Sequence, residues 1–510
     1  MDFIQNFPLF SIILCLLCAV VSYLLKPKYA RAVTYTLLCV LTLLSASVLA
    51  YNIYTKTRFT YMMGHFPAPW GNEITAGIIE PFFAMLFSIV MLLCLLGGSF
   101  RIPHDIAPKK QHLYYVMNDM LIVSLIALMY TNDIFTGYVF IEICTVASCS
   151  ILMIRHGTHT NLAAIRYMIF SLIGSGLFLI GVILLYAITG QLLFPQLKET
   201  VALIWQNHEY RLPLTGVIGL ITIGLAIKSG LFPFHLWMSD TYSTATPASC
   251  GILSGIVSKG YILFLIRIIF YVFGESVFYG SHIQDIIFIL GIGGIIFGSV
   301  SAIVTKQMTQ MIAFSSAAQI GYIYLAISIS PDAGIIAAFL QIVAHSLAKP
   351  LLFNTAAKMA PHTHDNILRT EFVGAALKHK FSALCFTVSA MSIVGIPCLI
   401  GFVPKLSIAL ASLEVDDKAM AALIALAVST VLNVAYFLFT VLRLYLPVEH
   451  GIHENQDEPL PIPAEDQTAN WSTTGGYAIS CMIFSLLIIA LGIFPSALIY
   501  LFELGLPMLG

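Results

Sequence analysis

Charged residues are scarce in this chain, at 10% of its 510 positions, whereas 59% of the residues are hydrophobic. No polar stretch is long enough to fold alone, which excludes a sizeable soluble domain. The formal net charge is −1, and this near balance leaves no basic face for a nucleic acid. The ten cysteines are scattered through apolar runs, and we interpret them as packing residues rather than ligands for iron–sulfur or zinc centres. We therefore expect neither a metal nor a cofactor in the chain itself.

What the chain contains instead is a series of apolar segments, each about 17 to 25 residues long, the length that crosses a bilayer as a helix. They predict an all-α polytopic membrane protein with about 14 transmembrane helices. The predicted helices cover residues 7–25, 32–53, 78–98, 112–130, 132–154, 162–188, 213–235, 243–272, 283–304, 309–329, 333–358, 381–408, 419–445 and 475–502.

The loops between these helices differ in positive charge. On the side of the first loop there are 14 lysines and arginines, on the other side there are 5, and the remaining 5 lie within spans. Because positive loops stay in the cytoplasm, this bias predicts that both termini lie outside. An even helix count agrees, and the expected location is the plasma (inner) membrane of a prokaryote.

Proline interrupts two of the predicted helices, the seventh at Lys228–His235 and the twelfth at Gly395–Lys405. Such breaks recur in transporter repeats, although proline kinks are also common in membrane helices. The breaks are five helices apart, so helices 4–8 and 9–13 would form two inverted five-helix repeats. The predicted divisions are N-terminal helices 1–111, a first repeat 112–272, a second repeat 283–445, an acidic cytoplasmic loop 446–474 and a C-terminal helix 475–510.

Single charged residues lie inside the apolar runs: Glu142, Lys228, Lys259, Lys349 and Lys405. Each costs about 2.5 to 3.5 kcal/mol at the middle of a bilayer unless it is paired or hydrated. A row of isolated acids and bases without a cofactor motif is typical of a proton or cation path, because desolvation and neighbouring charges can tune their protonation.

The first two members of this row are predicted to form a pair. Glu142 on helix 5 would support the charge of Lys228 on helix 7, and separating them would act as a switch. The alternative is a Glu142 carboxylate satisfied by the hydroxyl of Thr145 or Ser148. Lys259 on helix 8 is the next predicted station, or else a lysine held by a carbonyl or hydroxyl for packing alone.

The second half of the row lies on helices 11 and 12. His345 and Lys349 are spaced i, i+4 and share one helix face. An imidazole, with an ordinary pKa of about 6.5, suits proton transfer near neutral pH, but His345 could equally be a packed side chain. Lys405 would exchange with water at the end of the row, or snorkel to the membrane interface.

Two other titratable groups have separate interpretations. Glu80 opens helix 3 and is expected at the interface, with a contact to a partner subunit as the alternative. His362, His364 and Asp365 resemble a metal cluster, but no second ligand set accompanies them, so we expect a solvated loop.

Five motifs follow one another along the chain: Val139–Glu142, Ile227–Trp237, Leu253–Lys259, Ala313–Tyr322 and Gly395–Lys405. Together they resemble the motifs of the antiporter-like subunits shared by respiratory complex I, Mrp-type cation/proton antiporters and membrane-bound hydrogenases. The resemblance implies inverted five-helix repeats, a Glu142–Lys228 coupling pair, and further stations at Lys259, His345 or Lys349, and Lys405. It also implies other membrane subunits as partners, including homologous ones.

Within the family, Trp70–Glu73, Ile79–Pro81 and a lysine at 405 look most like the D-type subunit of Mrp antiporters. The chain departs from the family pattern at Gln307–Gln310, which replaces an Asp-Leu-Lys-Arg-like turn.

The predicted function is a proton-translocating subunit of a multi-subunit membrane complex, without a redox cofactor of its own. The sequence leaves open whether sodium also moves and whether redox chemistry or an ion gradient drives the complex. It therefore also leaves open any enzymatic role of the assembly. Two alternatives are a scaffold whose neighbours carry the ions, and a subunit that forms a quinone site.

Overall fold

The computed structural model describes residues 3–66, 72–155, 157–360, 368–447 and 471–509. The predicted solvated loop at His362, His364 and Asp365, most of the predicted 446–474 loop, and Trp70 with Gly71 lie outside these residues.

The described residues form fourteen candidate membrane crossings. Thirteen helices of the described residues are long and apolar enough to span a membrane, and two shorter helices together make the twelfth crossing. The predicted all-α polytopic fold is thus confirmed. The helices are α1 Phe7–Leu24, α2 Pro27–Thr55, α3 Ile79–Gly98, α4 Gln111–Tyr130, α5 Ile134–Met153, α6 Thr158–Thr189, α7a Arg211–Ser229 with α7b Leu236–Thr244, α8 Pro247–Gly280, α9 Ile283–Val304, α10 Met308–Ile329, α11 Ala333–Met359, α12a Lys380–Val394 with α12b Phe402–Leu413, α13 Asp416–Tyr445 and α14 Trp471–Ile493.

Several smaller elements were not predicted. Strands β1 (Phe59–Met62) and β2 (Glu73–Ala76) form an antiparallel hairpin between α2 and α3. An amphipathic helix, Phe194–Gln206, buries only one of its faces between α6 and α7a. The predicted fourteenth helix divides, because Pro495 begins a separate terminal helix, Ser496–Gly505. One-turn helices cover Phe3–Asn6, Met63–His65, Ile102–Asp105, Pro108–Lys110, Arg369–Phe372, Ala375–Lys378 and Leu506–Met508.

Loops that should share a face of the membrane do contact one another. The hairpin bridges to the loop after α4 through Ile74 and Thr131, and that loop bridges to the one after α6 through Asp133 and Leu193. At the other end of the bundle, the loops after α9 and α11 meet through Gln307 and Leu368. This alternation is the one that fourteen successive crossings require.

Three helices form the interior of the bundle. The apolar window of α8 is completely buried, and those of α10 and α11 are 94% buried. By contrast, only 28% of the windows of α1 and α14 is buried, so these helices lie at the periphery of the bundle. Polar side chains on α8, α10 and α11 are therefore enclosed by protein.

The two broken crossings end their first halves in the same way. Gly230 follows α7a with a φ of 82°, and Gly395 follows α12a with a φ of 94°. In each case two successive backbone N–H groups donate to one carbonyl, that of Ala226 or that of Met391. Only glycine adopts this left-handed conformation without strain, and a proline follows within three residues. In α8, residues Leu253–Val257 and Ile269–Phe273 are wider π-helical turns.

Candidate functional site

Glu142 and Lys228 lie side by side at the centre of the first repeat. Glu142 Oε1 is 3.9 Å from Lys228 Nζ, and Lys228 also donates to Thr145 Oγ1 at 2.7 Å. Neither Thr145 nor Ser148 donates to the carboxylate, since Thr145 donates to the Ile141 carbonyl instead. The Lys228 side chain is 1% exposed and that of Glu142 is 26% exposed. The pair therefore joins the buried interior to the outer surface of the subunit.

Lys259 lies on α8, just after the first π-helical turn. Its side chain is fully buried, and Nζ donates to the Ser254 carbonyl and, at 3.1 Å, to Ser258 Oγ. The hydroxyls of Ser254 and Ser316 are 3.0 Å apart and connect α8 to α10. The ammonium group of Lys259 is thus held by neutral oxygens.

His345 and Lys349 share one buried face of α11, as their spacing predicts. Lys349 donates to the Ile312 carbonyl at 2.8 Å and to Ser315 Oγ, both on α10. Within the described residues, neither ring nitrogen of His345 has a hydrogen-bond partner. Lys259 is near enough to act electrostatically on both residues. The structure therefore gathers three basic groups from α8 and α11.

Lys405 begins α12b but points back across the break. Its Nζ donates to the Ile393 and Val394 carbonyls at 3.0 and 2.8 Å, and lies 5.4 Å from the centre of the Tyr322 ring. A Cβ atom at Gly395 would come within 3.0 Å of Lys405 Cδ. Lys405 therefore occupies the gap in the helix, a placement unlike that of a snorkelling lysine.

Helix α10 places polar side chains beside the first break, against α11 and beneath Lys405. Tyr324 and Ser229, at the break after α7a, are 2.8 Å apart through their hydroxyls. Gln341 on α11 donates to Gln319 at 2.5 Å. Tyr322, which underlies Lys405, donates to Ser429 on α13 at 2.6 Å. The sequence identified α10 only by its motif at Ala313–Tyr322. The recurrence of polar residues at helical spacing along this helix could have indicated its role in the interior.

The structure also contains a buried ion pair that sequence reasoning missed. Arg267 Nε on α8 is 3.5 Å from Glu80 Oε1, and both side chains are at most 3% exposed. Tyr271 and the backbone N–H of Gly77 donate to the same carboxylate. The expectation of an interfacial Glu80 is therefore wrong, because a partner from α8 allows the carboxylate to be buried.

Asp119 on α4 is a second missed group. It is fully buried and accepts a hydrogen bond of 2.8 Å from Ser22 on α1. Asp119 could have been found from the sequence, because it is a single carboxyl in an apolar run, the same signal that identified Glu142.

One pair of cysteines, Cys15 and Cys18 on α1, does have Cys-x-x-Cys spacing. Across the described residues, no group of three or more His, Cys, Asp or Glu side chains is arranged to hold a metal ion.

The model of the family described as "NADH:quinone oxidoreductase/Mrp antiporter, TM" matches residues 131–433, a range that includes all six members of the row. The chain belongs to this family. It is an antiporter-like membrane protein of the kind found in Mrp antiporters, complex I and related respiratory complexes, and the predicted resemblance is confirmed.

Curated members of the NADH:quinone oxidoreductase/Mrp antiporter family align with most of this chain. The N-type subunit of NADH-quinone oxidoreductase from Desulforudis audaxviator is 27% identical over 89% of this chain and 88% of its own. The D-type subunit of the Na(+)/H(+) antiporter from Alkalihalophilus pseudofirmus is 26% identical over 82% of this chain and 81% of its own.

Solved structures of the family share the fold. A chain of the Mrp complex from Dietzia sp. superposes with a TM-score of 0.85 at 20% identity, over 100% of this chain and 98% of its own. A chain of the archaeal membrane-bound sulfane sulfur reductase superposes with a TM-score of 0.84 at 21% identity and the same coverage. Both belong to multi-subunit membrane complexes.

Proposed function

We propose that this chain translocates protons as one subunit of a multi-subunit membrane complex, either an Mrp-type cation/proton antiporter or a membrane-bound redox complex. The observation that carries the proposal is the state of the buried lysines. Lys259, Lys349 and Lys405 are hydrogen-bonded to hydroxyl and carbonyl oxygens rather than to carboxylates. Without a fixed counter-charge, each can change its charge at modest cost, which a proton station requires.

The Glu142–Lys228 pair is proposed to couple this row to a neighbouring subunit. At 3.9 Å, the two charges attract by about 4 kcal/mol at an effective dielectric constant of about 20. A change at the partly exposed Glu142 carboxylate would therefore change the protonation of Lys228. A neighbouring subunit that contacts Glu142 could trigger this step.

Lys259, His345 and Lys349 are proposed to pass the proton between the two repeats. Three basic groups within electrostatic reach of one another are disfavoured from all being charged, because like charges repel in a buried site. A proton that arrives at one of them thus favours release from another. His345 is the member with no competing hydrogen bond from the described residues.

Lys405 is proposed as the last station, next to the break in α12. The first repeat (112–272) and the second repeat (283–445) would each hold one half-path.

We further propose a prokaryotic plasma membrane as the location, with both termini outside. Partner subunits would include homologous antiporter-like chains.

The test compares two lysines of α11 in the assembled complex. Lys349→Ala removes a member of the row, whereas Lys358→Ala removes a lysine that packs over Phe100, outside the row. Proton uptake into vesicles, measured with a pH-sensitive dye, should be lost in the first variant and kept in the second. If both assembled variants transport at the unaltered rate, the chain acts as a scaffold.

A further inference from the structure

A buried carboxyl lies away from the central row, where α4 packs against the first two helices. Asp119 is fully buried, and its Oδ2 accepts the Ser22 hydroxyl of α1 at 2.8 Å. From α2, the hydroxyl of Thr34 also faces the carboxyl. Both Thr34 Oγ1 and Asp119 Oδ1 are buried. Among the described residues, neither atom has a hydrogen-bond partner.

Among the described residues, no positive charge balances this carboxyl. The other titratable groups that face it are the thiols of Cys15 and Cys18 on α1, and neither is a cation. Within the part of the chain that the structure describes, no lysine or arginine forms an ion pair with it. An ionised carboxylate in this position would bear the full cost of a buried, unpaired charge.

Glu80 provides a comparison inside the same molecule. It is as well buried as Asp119, at 1% exposure, but it has Arg267 beside it and accepts hydrogen bonds from Tyr271 and Gly77. The two carboxyls therefore share burial and differ in counter-charge. Because burial without a counter-charge disfavours an ionised carboxyl, the protonated form is the favoured form of Asp119.

A surface cleft lies near Asp119, on the lysine- and arginine-rich face. A cleft of about 290 Å³ opens there, lined by residues that include Lys28, Arg31, Gln111 and Tyr115. Arg31 lies one turn from Thr34 on α2, and Tyr115 lies one turn from Asp119 on α4. The positive side chains at the cleft would repel a metal cation.

We propose that the Asp119 carboxyl is a proton-binding site outside the central row, protonated at neutral pH and in exchange with the aqueous phase through this cleft. Its ligand is the proton, held between helices α1, α2 and α4. The site does not depend on the transport role proposed above.

The test uses dicyclohexylcarbodiimide, which reacts with protonated carboxyls in apolar surroundings, on the intact complex in membranes. Peptide mass spectrometry should find Asp119 modified at pH 7 at least about tenfold more than Glu80, because the Glu80 carboxylate is paired with Arg267 and Asp119 has no such partner among the described residues. Modification should fall as the pH is raised, and Asp119→Asn should abolish it.

Two hydroxyl variants sharpen the assignment. Thr34→Val removes a hydroxyl that faces the carboxyl and whose dipole favours the ionised form, so modification should persist to higher pH. Thr36→Val is the matched control, because the Thr36 hydroxyl is exposed and donates to its own helix. The control should leave the pH profile unchanged.

Three results would overturn the proposal. Unmodified Asp119 at pH 6 to 7 would mean that it is an ionised acceptor. Protection by sodium chloride but not by potassium chloride would make it a metal-cation ligand instead. If the pH profile of Asp119 modification in Thr34→Val were identical to that of the unaltered protein, a site formed by all three helices would be ruled out.

Discussion

Lys405 donates a hydrogen bond of 2.8 Å to the carbonyl oxygen of Val394, the last residue of α12a, although it belongs to the second half of the same crossing. The lysine thus bridges the gap that the Gly395–Pro397 break creates. This relationship suggests experiments that separate charge from proton transfer.

Lys405→Ala should abolish proton transport by the assembled complex, because it removes the proposed last station. Lys405→Arg should also abolish it, since a guanidinium keeps the charge and hydrogen bonds but does not release its proton in proteins. Transport into vesicles, with assembly checked on a native gel, decides the point. Normal transport by Lys405→Arg would show that a fixed positive charge is sufficient.

Gly395→Ala should displace Lys405. The new Cβ would sit 3.0 Å from Lys405 Cδ, on a backbone whose φ of 94° already disfavours alanine. Gly190→Ala is the matched control, because Gly190 also has a positive φ of 69° but its Cβ would meet no atom within 4 Å. Transport should fall severalfold in the first variant only. Equal losses in both would attribute the effect to backbone strain of about 1 to 2 kcal/mol.

The Glu142–Lys228 pair should behave as one unit. Glu142→Gln keeps the shape of the side chain but removes its charge, so transport should fail, and Lys228→Ala should fail as well. The double variant should be no worse than either single one, as expected for contacting residues. Independent, multiplying losses of transport in vesicles would mean that the two do not work together.

Breaking the Glu80–Arg267 pair should destabilise the protein. Glu80→Ala leaves the Arg267 charge buried, and removing one partner of a buried pair costs about 3 to 5 kcal/mol. The free energy of unfolding in detergent would be compared with that of Glu414→Ala, a change at an exposed carboxylate. A loss below about 1 kcal/mol would show that the guanidinium is sufficiently stabilised by the Leu128 and Thr131 carbonyls it also contacts.

Cysteine labelling should establish the orientation. Cysteines at the exposed positions Lys109 and Lys378 should react from the cytoplasmic side and one at Glu414 from outside. The native cysteines must first be replaced, because Cys39 and Cys398 are exposed. Reaction of Lys378 and Glu414 positions from the same side would contradict the arrangement of the second repeat.

The sequence predicted the crossings and their breaks because length, hydropathy and Gly-Pro punctuation are local signals. It also predicted which basic residues lie in the interior, since a lone lysine in an apolar run has few explanations. It did not reveal that Arg267 buries Glu80, because the partners are far apart in the chain and packing alone brings them together. The π-helical turn at residues 253–257 of α8 was likewise not predicted, because its residues carry no sequence signal for a wider turn.

The shared ending of the two half-helices has an electrostatic consequence. Unpaired carbonyls at the end of a helix carry about half a negative charge, and this macrodipole favours a cation there. Lys228 lies in the last turn of α7a, and Lys405 contacts the last carbonyls of α12a. In the inverted arrangement, the negative ends of these half-helices point toward opposite membrane faces. The backbone itself therefore provides two shallow potential wells for positive charge, and Lys405 can lose its proton without leaving a carboxylate uncompensated.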